Sequence, residues 1–520
     1  MIPNRFSDTL FQLIKSLEKA EKRHFKLFVK RSSANEDLKI IELFDVLDKI
    51  TLYDETVLLK KLHTIKKPQL ANVKVHLYKQ LLASLRLLKS TDSIDLQLTE
   101  QFDYAHILYK KGLFTQSLKI LDKAKETANQ NHKVNFLVQL IALEKRIETL
   151  HITRDMQSRA LQLSAEVNLV NKKIDIHNRL SNLAMLLQSW FIQYGHTRNN
   201  EDEQKVRDYL QNHLPENALQ QNGFYERMYL NQSFCTFAYI RQDFLSYYKY
   251  AQKWVNIFEE EPLMVRVETS HYIKAMHSLL NAHFVLRNFQ QLDFVLNKFL
   301  LFSETDRVKL HDNFRTQAFI SIYSARVNQH NMLGTFREGI KLVPYILEQI
   351  KANELFIDEY RVMVFNYKIA SLYFGNGDYG ICIDFLHKII NQSNDERSDL
   401  QGYARILHLI AHFELGNFDI MEYLTKSAFR FLAKKEYLTE IEKEMFKFLR
   451  NSFSISRKEM LASLNDLLNK IKKLEKNAFE TRVFAYLDIV SWIESKVNSK
   501  SLQTILQQKN EQRKKRLYRL

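Results

Sequence analysis

A short turn motif recurs along this sequence, and its spacing constrains the fold more than any other feature. The motif is a Gly or polar residue, then a small polar residue, then a large apolar one, as in "GDY" at 377–379. The middle positions of the series are Leu113, Asp155, Asp243, Asn288, Thr335, Asp378 and Asn417. All but Leu113 are residue types that begin helices, because their side-chain oxygen accepts an otherwise unpaired backbone N–H.

The spacing of these motifs predicts a repeat of helical hairpins. Neighbouring middle residues stand 39 to 47 positions apart, except for one interval of 88 between Asp155 and Asp243. That interval is two repeats long, and the missing turn falls near Asn199 and Asn200 in "HTRNNEDEQ". A constant period of this length is typical of α-solenoids, in which each hairpin buries its apolar face against its neighbours.

The shortage of turn-forming residues supports an all-α fold. The 520 residues include only 10 Gly and 5 Pro, whereas average usage is roughly 7% and 5%. Sheet-rich and α/β folds need these residues in their tight turns and phosphate loops. We therefore expect long helices joined by few connections.

Two segments resemble the tetratricopeptide-type helical hairpin. They are "YKKGLFTQSLKILDKA" at 109–124 and "YFGNGDYGICIDFLHKI" at 373–389. In each, an aromatic residue precedes Gly-x-aromatic, and a small residue (Ser117 or Cys382) follows three positions later. The resemblance covers about residues 96–450, with a longer period than the family's and without its usual Pro. It implies a right-handed α-solenoid with a concave partner-binding groove and no catalytic residue.

The motif also suggests three domains. Residues 1–95 lack it and are expected to form a basic N-terminal helical region. Residues 96–450 form the predicted repeat array. Residues 451–520 are expected to supply amphipathic helices that cap the open end of the array, followed by a basic tail.

One glycine pattern points to a different class of protein. Gly375, Gly377 and Gly380 have the spacing G-x-G-x-x-G, which in dinucleotide-binding folds follows a strand and cradles a pyrophosphate. The apolar residues before it recur at helical spacing instead, at Val362, Phe365, Ile369 and Leu372. We therefore interpret the glycines as part of a repeat turn and expect no cofactor.

No other motif favours an enzyme or a metal site. "HLIAHFE" places His408 and His412 four residues apart on one helix face, a spacing that can bind zinc. No third ligand is visible, whereas a catalytic zinc site needs three protein ligands and a structural site four. We expect helix packing here, no metal and no catalytic residues.

An aromatic stripe leaves two interpretations open. "YYKYAQKW" contains Tyr247, Tyr250 and Trp254, with Lys249 and Lys253 beside them. Such a stripe on the second helix of a repeat usually packs in the core. Alternatively, the three aromatic side chains line a groove and stack against unpaired bases.

Both ends of the chain are basic, within a formal net charge of +16. The candidate anion or nucleic-acid contacts are Lys22, Arg23, Lys26, Lys30, Arg31, Arg513, Lys514, Lys515 and Arg516. Positions 22, 26 and 30 share one helix face, which favours a cationic ridge. A solvated face and a solubilising tail are the simpler interpretation, and salt-dependent binding of an anionic partner is the alternative.

The remaining features suggest the reducing cytoplasm. Cys235 and Cys382 are too few for a disulfide framework, and the start "MIPNRFSDTL" lacks the apolar run of a signal peptide. The long uncharged stretch 180–197 contains the polar side chains Ser181, Asn182, Gln188, Ser189, Gln193 and His196, so we expect a buried helix and not a membrane span.

The sequence thus predicts a non-catalytic scaffold or adaptor that binds a protein or peptide partner through a concave surface. The first alternative is a nucleic-acid- or ribosome-associated factor that docks through its basic N-terminal helix and C-terminal tail. A second alternative is a regulator whose N-terminal helices contact DNA and whose repeats sense a ligand, although no recognition helix or wing can be singled out.

Overall fold

The computed structural model describes residues 8–30, 35–90, 93–151, 156–392, 398–434, 438–452, 457–474, 477, 479–480 and 488–517. Within these ranges every regular element is a helix, so the prediction of an all-α fold is confirmed. None of the helices in these ranges is both long enough and apolar enough to cross a membrane.

The chain divides into two compact units, Met1–Lys172 and Lys173–Leu520. The first unit contains α1 Thr9–Ser16, α2 Lys19–Lys30, α3 Asn35–Lys49, α4 Glu55–Lys61, α5 Lys67–Leu88, α6 Ile94–Lys110, α7 Phe114–Gln130 and α8 Val134–Leu150. α9, Met156–Tyr194, begins in the first unit and ends in the second. The predicted divisions near residues 95 and 450 concern the extent of the repeats and stay predictions.

The second unit continues with a series of shorter helices. These are α10 Asn200–His213, a 3-10 helix Ala218–Gln220, α11 Phe224–Ile240, α12 Phe244–Glu260, α13 Leu263–Val267, α14 Thr269–Val285, α15 Phe289–Ser303, α16 Asp306–Lys309, α17 Asp312–Leu333, α18 Phe336–Ile340, α19 Val343–Ala352, α20 Glu359–Asn376, α21 Tyr379–Ile390, α22 Ser398–Leu415, α23 Phe418–Lys434, α24 Glu440–Asn451, α25 Arg457–Leu474, α26 Ile489–Val497 and α27 Leu502–Leu517.

The turn motif has one backbone conformation at each described position. Its first residue has a positive φ, 73° at Gly112 and 90° at Gly377, and also 60° at Gln242 and 53° at Arg287, where the residue is not glycine. The N–H of the next residue donates to a carbonyl five positions earlier, for example from Asp378 to Tyr373 at 2.9 Å. This is the left-handed helix C-cap that favours glycine. Asp155 lies outside the described residues.

The predicted helix caps are found at some turns only. Asp243 accepts from the backbone N–H of Ser246 at 3.1 Å, and Asn288 caps α15 in the same way. Thr335 and Asp378 make no side-chain cap, so the prediction is wrong there. The Asp378 carboxylate instead accepts from the side-chain amide of Asn376 at 2.6 Å.

The glycine fingerprint belongs to one of these turns. Gly375 lies in α20, where its hydrogen faces the ring of Phe336. Gly377 ends α20 in the left-handed conformation, and Gly380 lies in the first turn of α21. Because a helix precedes the glycines, the segment lacks the strand that a dinucleotide fold requires.

The helices pack as consecutive hairpins. α14 packs against its own second helix α15 and against α17, the first helix of the next hairpin, and α17 packs in turn against α20. α17 contributes to two different apolar cores, one through Ile322 and the other through Phe319. The first unit has a separate core around Phe11, Phe25 and Phe44.

The long helix α9 differs from a simple repeat. α9 is a continuous helix of 39 residues, where a regular array would have a connection between hairpins. It contains neither Gly nor Pro, so nothing interrupts the helix. The chain then turns after Tyr194, and Asn199 caps α10 by accepting from the N–H of Asp202 at 2.8 Å, at the predicted missing turn.

The C-terminal helices also contact the middle of the second unit. α27 packs against α17 and α20, and Asn510 donates to the carbonyl oxygen of Met332 at 3.2 Å. Arg287, in the turn before α15, pairs with Asp488 at 3.0 Å. These helices therefore return along the hairpin series, in addition to following its last member.

Candidate functional site

Two helices of the second unit, α14 and α20, carry a group of cations with few acidic partners. Lys274 and His277 stand three positions apart on α14, and Arg361 and Lys368 stand seven apart on α20. Residues three or seven positions apart share one face of a helix. Both helices pack against α17. We call these four residues the cationic recess.

Lys368 is the least exposed of the three cations in this group. Its side chain keeps partial access to solvent, yet surrounding protein lowers its pKa to about 7 by removing water from the ammonium group. Nζ donates to the carbonyl oxygen of Ser324 on α17 at 3.3 Å. Among the described residues, no carboxylate forms an ion pair with Lys368. Its charge is therefore uncompensated.

His277 responds to all three neighbouring cations. Burial, together with the charges of Lys368, Arg361 and Lys274, lowers its pKa to about 4. The imidazole is therefore neutral near pH 7. Its Nδ1 is shielded from solvent and has no hydrogen-bond partner within the described part of the chain. Leaving such a group unpaired costs about 1–3 kcal/mol, which a ligand's polar group would relieve.

The other two cations lie nearer to solvent. Lys274 is exposed, yet its pKa is lowered, mainly because nearby protein removes water and also because Arg361 is close. Arg361 is exposed as well and pairs with Asp358 at 2.5 Å. The recess thus keeps an excess of positive charge, and it can accept a carboxylate or phosphate group without breaking an ion pair of either lysine.

Sequence reasoning missed these residues, although a signal was present. Lys274 is the only Lys, Arg, Asp or Glu in α14, and Lys368 is the only one between Arg361 and Asp378. A lone lysine in an otherwise uncharged helix has no i,i+4 partner of its own. It either reaches an acid on another helix or stays unpaired for a ligand.

The predicted aromatic stripe is mostly core. Tyr247 and Trp254 of α12 are 5% and 1% exposed. Tyr250 is half-buried and stacks on Phe234, with ring centroids 4.9 Å apart. Lys249 and Lys253 lie over the Tyr250 ring in cation–π contacts. The other two rings face the core and not a groove.

The N-terminal ridge of α2 is largely neutralised within the fold. Lys22 pairs with Asp48 of α3 at 2.6 Å, and Lys26 pairs with Asp45 of α3 at 2.7 Å. Arg23 and Lys30 are exposed, and Arg31 lies outside the described residues. The lysines whose spacing of four suggested a binding ridge therefore form ion pairs between α2 and α3.

The basic tail continues α27. Arg513 is exposed on this helix. The backbone of Lys514, Lys515 and Arg516 is helical, but their side chains lie outside the described residues. Their role as anion contacts stays a prediction.

The two histidines of α22 are buried and have a neighbour that the sequence did not reveal. His408 and His412 are 6% and 9% exposed. Nε2 of His408 lies 3.0 Å from Nε2 of His387, which is exposed on α21. His387 was missed because it is 21 residues away in the chain, and only the packing of α21 against α22 brings it close.

A cavity of about 400 Å³ lies in the first unit between α5 and α6. The polar side chains that line it already pair with one another, because Arg86 pairs with Asp103 and the Tyr104 hydroxyl hydrogen-bonds to Glu100. The cationic recess, which has unpaired polar groups, is therefore the better candidate site.

Comparison with known proteins adds no family. No protein-family model matches the chain, and no curated protein is significantly similar to it. The architecture itself defines the class, an all-α protein whose helices pack as repeated hairpins.

Proposed function

We propose that this protein is a non-catalytic helical-repeat scaffold that binds an acidic segment of a protein partner at the cationic recess. The observation that carries the proposal is the uncompensated charge of Lys368 on α20, together with Lys274 on α14, on two helices that both pack against α17. In the same proposal the hairpins form a right-handed solenoid, and α14, α17 and α20 line its concave face. Because the first helices of successive hairpins contact one another, they would offer an extended peptide a continuous surface.

Electrostatics favours an acidic segment over a neutral one. A carboxylate near Lys368 would offset the loss of water that lowers its pKa, so the bound lysine would become fully charged. Binding near pH 7 would therefore take up a proton, and affinity would fall as pH rises through about 7. The side chain of Arg361, already paired with Asp358, would contribute less than the two lysines.

The compartment is part of the proposal. Cys235 and Cys382 are both buried and free. Burial raises the pKa of the Cys235 thiol to about 12, so it stays protonated and unreactive. Unpaired, inert thiols support a role in the reducing cytoplasm.

The test is fluorescence anisotropy with the full chain and labelled peptides. One 12-residue peptide rich in Asp and Glu is compared with its Asn and Gln counterpart and with a single-stranded RNA. We expect the acidic peptide to bind, and Lys368→Met and Lys274→Met each to weaken it at least tenfold, since hydrogen bonds to charged groups contribute about 1.5–3 kcal/mol. Lys341→Met is the matched control, because that exposed lysine pairs with Glu338 on α18.

Calorimetry in buffers of different ionisation enthalpy measures the proton uptake. Equal binding of the acidic and neutral peptides, or unchanged binding by both variants, would refute the proposal. RNA binding without peptide binding would instead support the nucleic-acid alternative. In that case the Lys368→Met and Lys274→Met variants show whether RNA occupies the recess or another surface.

A further inference from the structure

The cavity between α5 and α6 in the first unit has apolar walls that the protein leaves exposed. α5 packs against α2 and α3, and α6 packs against α7 and α8, so both helices already have core partners. Leu87 of α5 and Leu96 and Tyr104 of α6 line the cavity. Leu82 and Ile107 extend the same faces by about one helical turn beyond it. We call these five side chains the α5–α6 groove.

The exposed apolar area of the groove is that of an interface core. The five side chains are 36% to 59% exposed. At roughly 150–200 Å² for each whole side chain, about 350–500 Å² of apolar surface lies open to solvent. A standard interface covers about 800 Å² on each partner, of which roughly 65% is apolar in homodimers. The groove therefore supplies the apolar part of an interface of standard size.

The charges along the groove are balanced within the chain. Arg86 of α5 pairs with Asp103 of α6, and the Tyr104 hydroxyl hydrogen-bonds to Glu100. A strongly charged partner would therefore gain little from electrostatic complementarity at this surface. Charges of both signs suit a symmetric interface instead, because in such an interface one patch must be complementary to itself.

The residue pattern along α6 is complementary to itself when the helix is reversed. The side chains of one face lie at spacings of four, four and three, and they are Leu96, Glu100, Tyr104 and Ile107. The midpoint of this helix of 17 residues is Phe102. An antiparallel copy related by a two-fold axis near that midpoint places Leu96 beside the partner's Ile107. The same axis places the Tyr104 hydroxyl beside the partner's Glu100, so apolar groups face apolar groups and a donor faces an acceptor.

We propose that the α5–α6 groove binds the same groove of a second copy of this chain, which gives a two-fold symmetric homodimer with antiparallel α6 helices. Each α6 would lie in the space between α5 and α6 of its partner, where Leu82 and Leu87 pack against it. The cationic recess lies on α14 and α20 of the second unit, so the dimer interface uses none of its residues.

The charge of the chain predicts how salt affects this dimer. Each copy has a formal net charge of +16, so two copies repel one another. Salt screens that repulsion, with a Debye length of about 8 Å at 0.15 M ionic strength. The dimer should therefore become tighter as the salt concentration rises, whereas association of two copies on one nucleic acid would become weaker.

The test is sedimentation equilibrium of the full chain over a range of protein and salt concentrations. One chain has a mass of 61.9 kDa, and we expect a concentration-dependent increase to twice that mass. Leu96→Glu and Ile107→Lys should each weaken dimerisation at least tenfold, because each buries an unpaired charge against an apolar side chain. Leu301→Lys is the matched control, since this leucine of α15 is also exposed and lies outside the groove.

A mixture of the two variants tests the antiparallel arrangement. In a mixed dimer the two introduced charges are opposite and face each other at one end of α6, and the native Leu96 and Ile107 meet at the other. The mixture should therefore associate more tightly than either variant alone, and circular dichroism checks that both variants keep their helicity.

Three results would each overturn the proposal. They are a wild-type chain that stays monomeric at every concentration, dimerisation that both variants leave unchanged, and a mixture that associates no better than its components. A wild-type dimer that dissociates as salt rises would likewise contradict it. Acidic-peptide binding at the cationic recess should be unchanged in both variants, so either proposal can fail alone.

Discussion

Substituting the three glycines of the fingerprint tests the repeat interpretation directly. A Cβ at position 375 would lie 2.1 to 2.4 Å from three ring carbons of Phe336. Favourable carbon contacts begin at about 3.5 Å. Phe336 is 3% exposed and belongs to α18, which packs against α20, so its ring has little room to move. Gly375→Ala should therefore destabilise the second unit by about 1–3 kcal/mol or more.

The other two glycines provide graded comparisons. A Cβ at Gly377 would meet no atom within 4 Å, but φ is +90°, so Gly377→Ala should cost about 1–2 kcal/mol in backbone strain alone. Gly380 also has open space around it and lies in α21 with an ordinary backbone. Gly380→Ala should therefore be neutral or stabilise the helix by up to about 1 kcal/mol.

The assay is urea unfolding of the full chain, followed by circular dichroism at 222 nm. The order of the midpoints is the measured result, because a chain with two compact units need not unfold in one step. We expect Gly380→Ala to have the highest midpoint and Gly375→Ala the lowest. A Gly375→Ala midpoint equal to that of the wild type would refute the packing argument. A nucleotide-dependent rise in midpoint, lost in all three variants, would restore the cofactor interpretation.

Three further predictions concern charges. Glu144→Gln should destabilise the first unit by about 3–5 kcal/mol in urea unfolding, since Glu144 is fully buried and its loss leaves Lys125 without that partner. Lys22→Glu should lower stability by about 0.5–1 kcal/mol through loss of its ion pair, whereas Lys30→Glu should have little effect; equal effects would contradict the pairing. The lowered pKa of Lys368 means that the unfolded state binds more protons between pH 7 and its ordinary pKa, so stability should rise over that range and the rise should diminish in Lys368→Met.

The positions of the repeat turns could be predicted because the turn conformation depends on residues that are adjacent in the chain. A left-handed residue must end each first helix, and the sequence uses glycine for it at Gly112, Gly334, Gly377 and Gly416. Even Gln242 and Arg287, which lack that conformational freedom, were located by spacing and take the same conformation. The all-α fold class could also be predicted, from the scarcity of Gly and Pro in the sequence.

The candidate site depends instead on packing between distant segments. Spacing along α2 placed Lys22 and Lys26 on one face, but it could not show that α3 presents Asp48 and Asp45 to them. Likewise, the four-residue spacing in α22 gave two histidines, and only the contact with α21 supplied His387. Periodicity fixes which residues share a face of one helix, and it does not identify what faces them.

Whether a charged side chain has an ion-pair partner distinguishes charges that stabilise the fold from charges that are available to bind another molecule. Lys22 reaches an aspartate of the neighbouring helix and contributes to holding α2 on α3. Lys368 loses water to its surroundings and, within the described residues, gains one carbonyl and no carboxylate in return. A methionine of similar size would avoid that loss, so folding gives no reason for a lysine at this position. Local conflicts of this kind are expected where a sequence serves binding, which is why we place the partner at Lys368 and not at the more basic ends.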